Sequence, residues 1–443
     1  MSSPLPDTAV ILALVSILLI PLALAGIALI NAGLVRSRNA THLMLSALCV
    51  IAVSAAAYFI CGFAWQGTIG GPAYALHVKG KEWNWIADAP LFWRGLEWNG
   101  SAASLVAWMQ LFSVALAALI PLGSAAERWR LQALCAFTAI LAAGIYPIFA
   151  HWVWGGGWLA QLGANYGLGH GFVDAGGSSA IQTVGGLSAL ALAWILGPRR
   201  GKFTQEGIPT AIPGHNAVFV LFGCLLAWAG WIGLNSAGAI LFSGVDPRRM
   251  ALIAVNTTLA AGGAALATAA VTGMRFGKPD ASLTANGWVG GLAAGSAACA
   301  FVPPAAALII GLVAGIVIPL AIENLELRLG VDDPGGSISV HAIGGLWGVL
   351  AVGFFARFPT PVLNAANVGA INTGAGQWLA QLVGIATLLG IILPAVYGAN
   401  WLLSRVMPLR VPAEGERQGL DLHELGAGAY PEFMTHTDEF LQR

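Results

Sequence analysis

The sequence predicts an all-α, polytopic membrane protein: eleven transmembrane helices built as two inverted five-helix repeats plus a C-terminal helix, with the N-terminus outside and the C-terminus inside. Three observations carry this. Of 443 residues, 57% are hydrophobic and only 9% charged, against roughly 25% charged in soluble domains. Apolar runs recur along the whole chain, and about 20 such residues span a bilayer core. One motif is also written twice, as DAGGSSAIQTVGG at 174–186 and DPGGSISVHAIGG at 333–345.

The spans follow in order. The first run, TAVILALVSILLIPLALAGIALI, has no Lys or Arg before Arg36. It lacks the positive n-region of a secretory signal and reads as a retained helix near 8–32. Further spans lie near 43–66, 102–125, 131–152, 174–197, 216–242, 250–273, 282–301, 304–322, 336–356 and 378–403. Positive charge clusters in alternate connectors: Arg36 and Arg38; Arg128 and Arg130; Arg199, Arg200 and Lys202; Arg275 and Lys278; Arg405 and Arg410. Placing these inside, with the 323–335 connector and the tail, puts 14 of the 20 Lys and Arg in the cytoplasm. The positive-inside rule then gives N-out and C-in, as an odd number of spans requires. Residues 1–403 form the membrane domain, with halves at 8–200 and 210–357 and the eleventh helix at 378–403. Residues 404–443 form a polar cytoplasmic tail.

The remaining features exclude more than they assign. Net charge is zero, which argues against nucleic acid, whose binding rests on neutralised phosphates. The five cysteines all lie in apolar runs without metal-ligand spacing and read as small buried side chains. No nucleophile sits beside a base and no metal constellation appears, so neither an enzyme nor a cofactor is expected. Trp83, Trp85, Trp93 and Trp98 in the 67–100 loop read as an interfacial aromatic belt. His151 and His215, at helix ends, read as capping or interface residues.

The repeated motif places chemistry. Asp174 opens the fifth span and Asp333 the tenth, so each half holds five helices and the second enters the membrane in the opposite sense. In such repeats the substrate path lies between the halves. An Asp at the N-cap accepts from the first free backbone N–H groups. Positions four apart share a helix face, aligning Asp174, Ser178 and Gln182 in one copy with Asp333, Ser337 and His341 in the other. Eight residues rise about 12 Å, so Gln182 and His341 both arrive near the middle of a ~30 Å core. Gly185, Gly186, Gly344 and Gly345 allow close helix approach. A lone intramembrane His is often a satisfied core residue; a polar residue at the matching place in the other half favours a polar path.

At these residues the chain resembles the ammonium transporter family of Amt, Mep and Rh proteins. Six stretches carry the resemblance, in order: GLVRSRN, GSAAERWR, PIFAHWVWGGGWLAQLGANYGLGHGFVDAGGSS, PGHNAVFVLFGCLLAWAGWIGLNSAG, GVDDPGGSISVHAIGGLWGVLAVGFFA and GERQGLDLHELGAGAYP. The resemblance implies a homotrimer in the cell membrane, each subunit with its own narrow pore. Trp154 is then the aromatic ring of an outer vestibule, holding the cation by cation–π attraction. Asp174 is the nearby carboxylate, acting by capping and by its negative field. His341 is the second of two pore histidines, and Trp231 lines the pore. The tail is expected to pack under the neighbouring subunit, and a cytosolic PII-type signalling protein is a further expected partner.

The departures bear on mechanism. Gln182 stands where the family has its first pore histidine. Ser113 replaces the upper gate phenylalanine, with Phe112 one place earlier, able to fill the gap if its helix is rotated. Leu234 replaces the lower gate phenylalanine, and Gly238 a vestibule serine. An imidazole can accept one proton and release another; an amide does not titrate. The pair Gln182–His341 therefore orients water or ammonia but does not pass a proton from ring to ring. Three readings follow: an ammonium or ammonia transporter with an altered gate and relay; a non-conducting ammonium sensor; or a channel for another small solute.

Overall fold

In a computed structural model the described residues are 5–358 and 375–430. Eleven helices dominate them: α1 (Asp7–Leu34), α2 (Ser37–Gln66), α3 (Ala102–Ser124), α4 (Leu131–Trp154), α5 (Ser178–Leu196), α6 (Ala217–Ser243), α7 (Pro247–Phe276), α8 (Ala281–Ser296), α9 (Pro304–Leu329), α10 (Ile338–Phe355) and α11 (Gln377–Val406). Ten are long and apolar enough to cross a membrane. The exception is α8, expected over 282–301. It has 16 residues, about 24 Å at 1.5 Å per residue, and the chain then turns through Ala297–Phe301.

The packing of the first five helices recurs in the second five. α3 lies on α5 as α8 lies on α10; α2 contacts α3 and α4 as α7 contacts α8 and α9. α1 runs against α6 along its length. Glycines make these contacts close. A Cβ on Gly230 would stand 2.1 Å from Ala23 N, and one on Gly26 2.5 Å from Ala227 N. Where α5 crosses α10, a Cβ on Gly186 would meet Ala342 N at 2.2 Å and one on Gly345 would meet Ser178 O at 2.5 Å. The paired glycine of each copy serves its own half: Gly185 faces Ala117 and Ile120 of α3, Gly344 faces Gly290 of α8 and Ile318 of α9.

One element differs from an all-helical chain. The 67–100 loop contains an antiparallel hairpin, β1 (Ala73–Val78) with β2 (Lys81–Ala87), closed at Lys79 and Gly80, both with positive φ. Trp83 and Trp85 make specific contacts within the fold. Trp152 Nε1 donates to Trp85 O (2.7 Å), and the Trp85 and Trp83 rings lie 5.7 and 6.2 Å from that of Trp158. The hairpin is thereby tied to the end of α4 that carries Trp154.

At the opposite end a buried charge network joins the two halves. Arg199 forms a two-pronged pair with Asp332 (2.9 Å for each nitrogen), and its backbone N–H donates to the same carboxylate at 2.8 Å. Glu127 pairs with Arg36 and lies 3.5 Å from Arg199. Arg128, fully buried, donates to the carbonyls of Gly197 (2.8 Å) and Asp332 (2.9 Å). Burial lowers its pKa to about 10, so it stays charged at neutral pH. Burial also pushes Glu127 and Asp332 up, but Arg36 and Arg199, and Arg199 and Arg128 respectively, outweigh it and hold both carboxyls below their ordinary values.

The tail docks on its own chain. Arg410 reaches the carbonyls of Leu196 (2.6 Å) and Pro198 (2.8 Å) and pairs with Glu416. Asp421 accepts from the N–H groups of Thr41 (3.2 Å) and His42 (2.7 Å) near the start of α2. Glu424 accepts from Leu131 N–H (3.1 Å) at the start of α4 and contacts His42 Nε2 (2.7 Å). Residues 431–443 of the expected tail lie outside the described residues.

Two outcomes follow. Gly186→Val should destabilise the protein by about 1–3 kcal/mol, the usual cost of forcing methyl groups into a packed interior, read as a lowered melting temperature in detergent. Carboxyls with depressed folded pKa values contribute stability that is present above their unfolded values and lost as pH falls through the folded ones. The melting temperature should therefore drop below about pH 4, and Asp332→Asn should flatten that drop while lowering stability at neutral pH.

Candidate functional site

A helix that starts inside the fold leaves backbone N–H groups that hydrocarbon cannot satisfy. Asp174 answers four of them: Oδ1 accepts from Gly177 and Ser178 (2.8 and 2.9 Å), Oδ2 from Ser179 and Ala180 (2.7 and 3.3 Å). Oδ2 also accepts from the Ser179 hydroxyl. Asp333 does the same for Ser337 and Ile338 (3.0 and 2.8 Å). Gly177 (φ 97°) and Gly336 (φ 67°) provide the left-handed step into each helix, which costs glycine little.

Both helices then open with a six-residue π-helical stretch, Ser178–Thr183 and Ile338–Ile343. Gln182 N–H reaches back five residues to Gly177 O at 3.0 Å. The wider turn shifts the register, so Asp174, Ser178 and Gln182 do not share one face. Ser178 turns to α8, donating to Ala293 O and accepting from Ala297 N–H, each at 2.7 Å. Gln182 turns to α10, where its Oε1 lies 2.7 Å from His341 Nδ1. Both side chains are buried. A carbonyl oxygen has no proton to give, so Nδ1 carries it and donates.

Toward the other end, Trp154 Nε1 donates to Asp174 O at 2.7 Å. Its ring stacks on Phe242, with centroids 4.4 Å apart and planes 8° from parallel, so Phe242 covers one of its faces. Gly238 packs against the 174–177 turn: a Cβ there would stand 2.3 Å from Ala175 O. A serine therefore does not fit this backbone. Trp231 is fully buried and donates to Ser296 Oγ at 3.0 Å.

The remaining expected residues differ in burial. Ser113 faces inward and donates to Met109 O at 3.2 Å. Phe112 is half-buried and its ring lies 6.4 Å from that of Trp108, one turn earlier. Leu234 is fully buried. Sequence reasoning missed Phe242, which sits one turn beyond Gly238 and so shared its face. It also missed the buried contact from the Tyr146 hydroxyl to Gln110 Oε1 (2.6 Å); Gln110 precedes Ser113 by three residues on α3, a spacing that could have drawn attention to it.

Two helix starts capped alike, meeting in a polar pair between two matching halves, define a polytopic membrane protein of the inverted-repeat transport class. The Ammonium Transporter Family model matches residues 10–430, and the chain belongs to that family. It is 37% identical to the Ammonium transporter Amt2 of Archaeoglobus fulgidus across 93% of this chain and 85% of that protein. To the Ammonium transporter of Bacillus subtilis it is 32% identical, covering 94% of this chain and 97% of that one. Among solved structures, it aligns with a Sensor Amt Protein at a TM-score of 0.83 and 27% identity, covering 95% and 98% of the two chains. Candida albicans Mep2, at 22% identity and a TM-score of 0.78 over 98% of this chain and 92% of that one, shares the fold. The protein is thus a multi-pass membrane protein.

Removing the Asp174 carboxylate strands four buried N–H groups. Asp174→Ala should cost about 2 kcal/mol or more, beyond the 0.5–2 kcal/mol of an ordinary N-cap, whereas Asp174→Asn should retain part of the stability. Thermal unfolding in detergent measures both.

Proposed function

We propose that the protein carries ammonium or ammonia through a narrow passage in each subunit of a homotrimer, with Trp154 and Asp174 at the outer vestibule and Gln182 and His341 at mid-depth. The observation that supports this best is the 2.7 Å contact between Gln182 and His341. It brings two buried polar side chains, one from each half, together where such groups are costly unless they serve a path or a partner. Ser113, Phe112, Leu234 and Trp231 line or flank the way between, and Gly238 closes the vestibule wall. The membrane domain runs to residue 403 with eleven spans, N-out and C-in, α8 being the short one. The tail from 404 couples to transport through the starts of α2 and α4, beneath a neighbouring subunit or at a PII-type partner.

A second reading, a sensor that binds ammonium without conducting it, is favoured by one finding: the likeness to a Sensor Amt Protein over nearly all of both chains. Flux separates the two. In proteoliposomes, ammonium-driven transport above protein-free vesicles supports the first reading; calorimetric binding of ammonium without flux supports the second. Under the first, Trp154→Leu should lower uptake at limiting ammonium about 5- to 30-fold, the equivalent of losing a desolvated cation–π contact. Deleting residues 411–443 should impair transport, because it removes Asp421 and Glu424 from the ends of α2 and α4.

A further inference from the structure

We propose that the segment Leu91–Trp98, just before α3, forms a hook that lies in the outer leaflet beside α2 and holds a phospholipid there, with the lipid phosphate on Arg94. The site stands whether the pore conducts ammonium or only binds it.

The segment is tied to the last turn of α2, where Ala89 N–H donates to Ala64 O at 3.1 Å. From there it reaches Phe59, whose ring lies 5.9 Å from that of Phe92 and 5.2 Å from that of Trp93, both edge-on. Trp98 closes on Trp93 at 5.2 Å. Phe59 stands seven residues before Gln66, the last residue of α2, which is about 10 Å along the axis. α2 has 30 residues, about 45 Å of helix. Centred on a hydrocarbon core of ~30 Å, its outermost ~8 Å lies among headgroups and Phe59 just inside the boundary. The rings of Phe92 and Trp93 therefore sit at the depth where aromatic side chains meet lipid.

The outer surface of the hook is apolar and open. Leu91 and Phe92 are each 44% exposed and Trp98 60%. It continues the exposed stripe of α2 formed by Leu45, Leu48, Phe59 and Ile60. A contiguous apolar surface at this depth of a membrane span is covered by lipid chains. Arg94 follows directly on the rings. Its side chain is exposed, with the guanidinium 5.8 Å from the Phe92 ring. Glu97 accepts from Asn99 at 3.0 Å, and among the described residues no carboxylate pairs with Arg94. An arginine stem lies along apolar surface while its head stays at the water boundary. A planar guanidinium takes a phosphate through two parallel hydrogen bonds.

The backbone keeps both rings in place at a cost. Phe92 and Trp93 hold φ values of 57° and 53°, a left-handed conformation that bulky residues rarely adopt. Glycine would make the same turn with less strain. Strained positions of this kind cluster at ligand clamps, and here the strain sets two aromatic rings against Phe59.

The test is native mass spectrometry of full-length protein in detergent, titrated with dioleoylphosphatidylglycerol or dioleoylphosphatidylcholine. The affinity of the tightest-bound lipid is compared between wild type and two variants. Arg94→Gln should weaken it about 5-fold for both lipids, the effect of one basic residue at a lipid surface. Phe92→Gly, which removes the ring and relaxes the backbone, should weaken it at least as much, with a lipid-free melting temperature unchanged or raised. Inorganic phosphate alone should not displace the lipid, because the rings hold its chains. Unchanged lipid affinity in either variant would overturn the proposal, as would displacement by inorganic phosphate. A lower lipid-free melting temperature in Phe92→Gly would assign the ring to the fold and overturn it as well. A protein that fails to transport ammonium leaves each of these results readable.

Discussion

The structure depends on how Asp174 ends the chain's approach to α5. Four backbone N–H groups and one hydroxyl converge on a single buried carboxylate. That fixes where the helix begins, and so how deep every later residue lies. The carbonyl of the same residue holds the Trp154 indole, so the end of α4 and the start of α5 are tied together. Asp333 repeats the arrangement with fewer donors. The π-helical stretch after each cap then aims the ninth motif residue across to the other half. Cap, wide turn and polar pair form one causal chain, written twice.

Much of this was legible in residues alone. The doubled motif announced the halves, and its ninth position named the pair that meets at 2.7 Å. The apolar runs located the helices, with bounds off by up to seven residues, as at 304–322 against Pro304–Leu329. The turn of Ser178 toward α8 was not legible, because a bond reaching back five residues leaves no mark in an apolar pattern. Nor was Phe242, whose partner Trp154 lies 88 positions earlier; only folding makes them neighbours. The hairpin did leave a mark: Tyr74, Leu76 and Val78 alternate with smaller or polar residues, and Lys79 and Gly80 make a tight turn.

The charged ends tell a related story. Arg36 and Arg199 looked like topology markers, counted only for their sign, and Glu127 and Asp332 were not counted at all. In the fold they join connectors from both halves into one buried network, and Glu127 holds a left-handed backbone (φ 68°) within it. Isolated buried ion pairs add little to stability, whereas breaking one is costly. The network's effect is to make the relative placement of the halves specific. The tail reads the same surface, since Arg410 binds the carbonyls that end α5 while Asp421 and Glu424 cap α2 and α4.

Gly186 and Gly345 sit where α5 and α10 approach most closely, Gly186 against the backbone of Ala342 and Gly345 against the carbonyl of Ser178 and the hydroxyl of Thr183. Side chains are what let packed helices slide, because they can change rotamer while the backbone moves. At these glycines the seam has little to yield. At these two points the halves are held against each other closely enough that one cannot shift on the other without a change in the main chain.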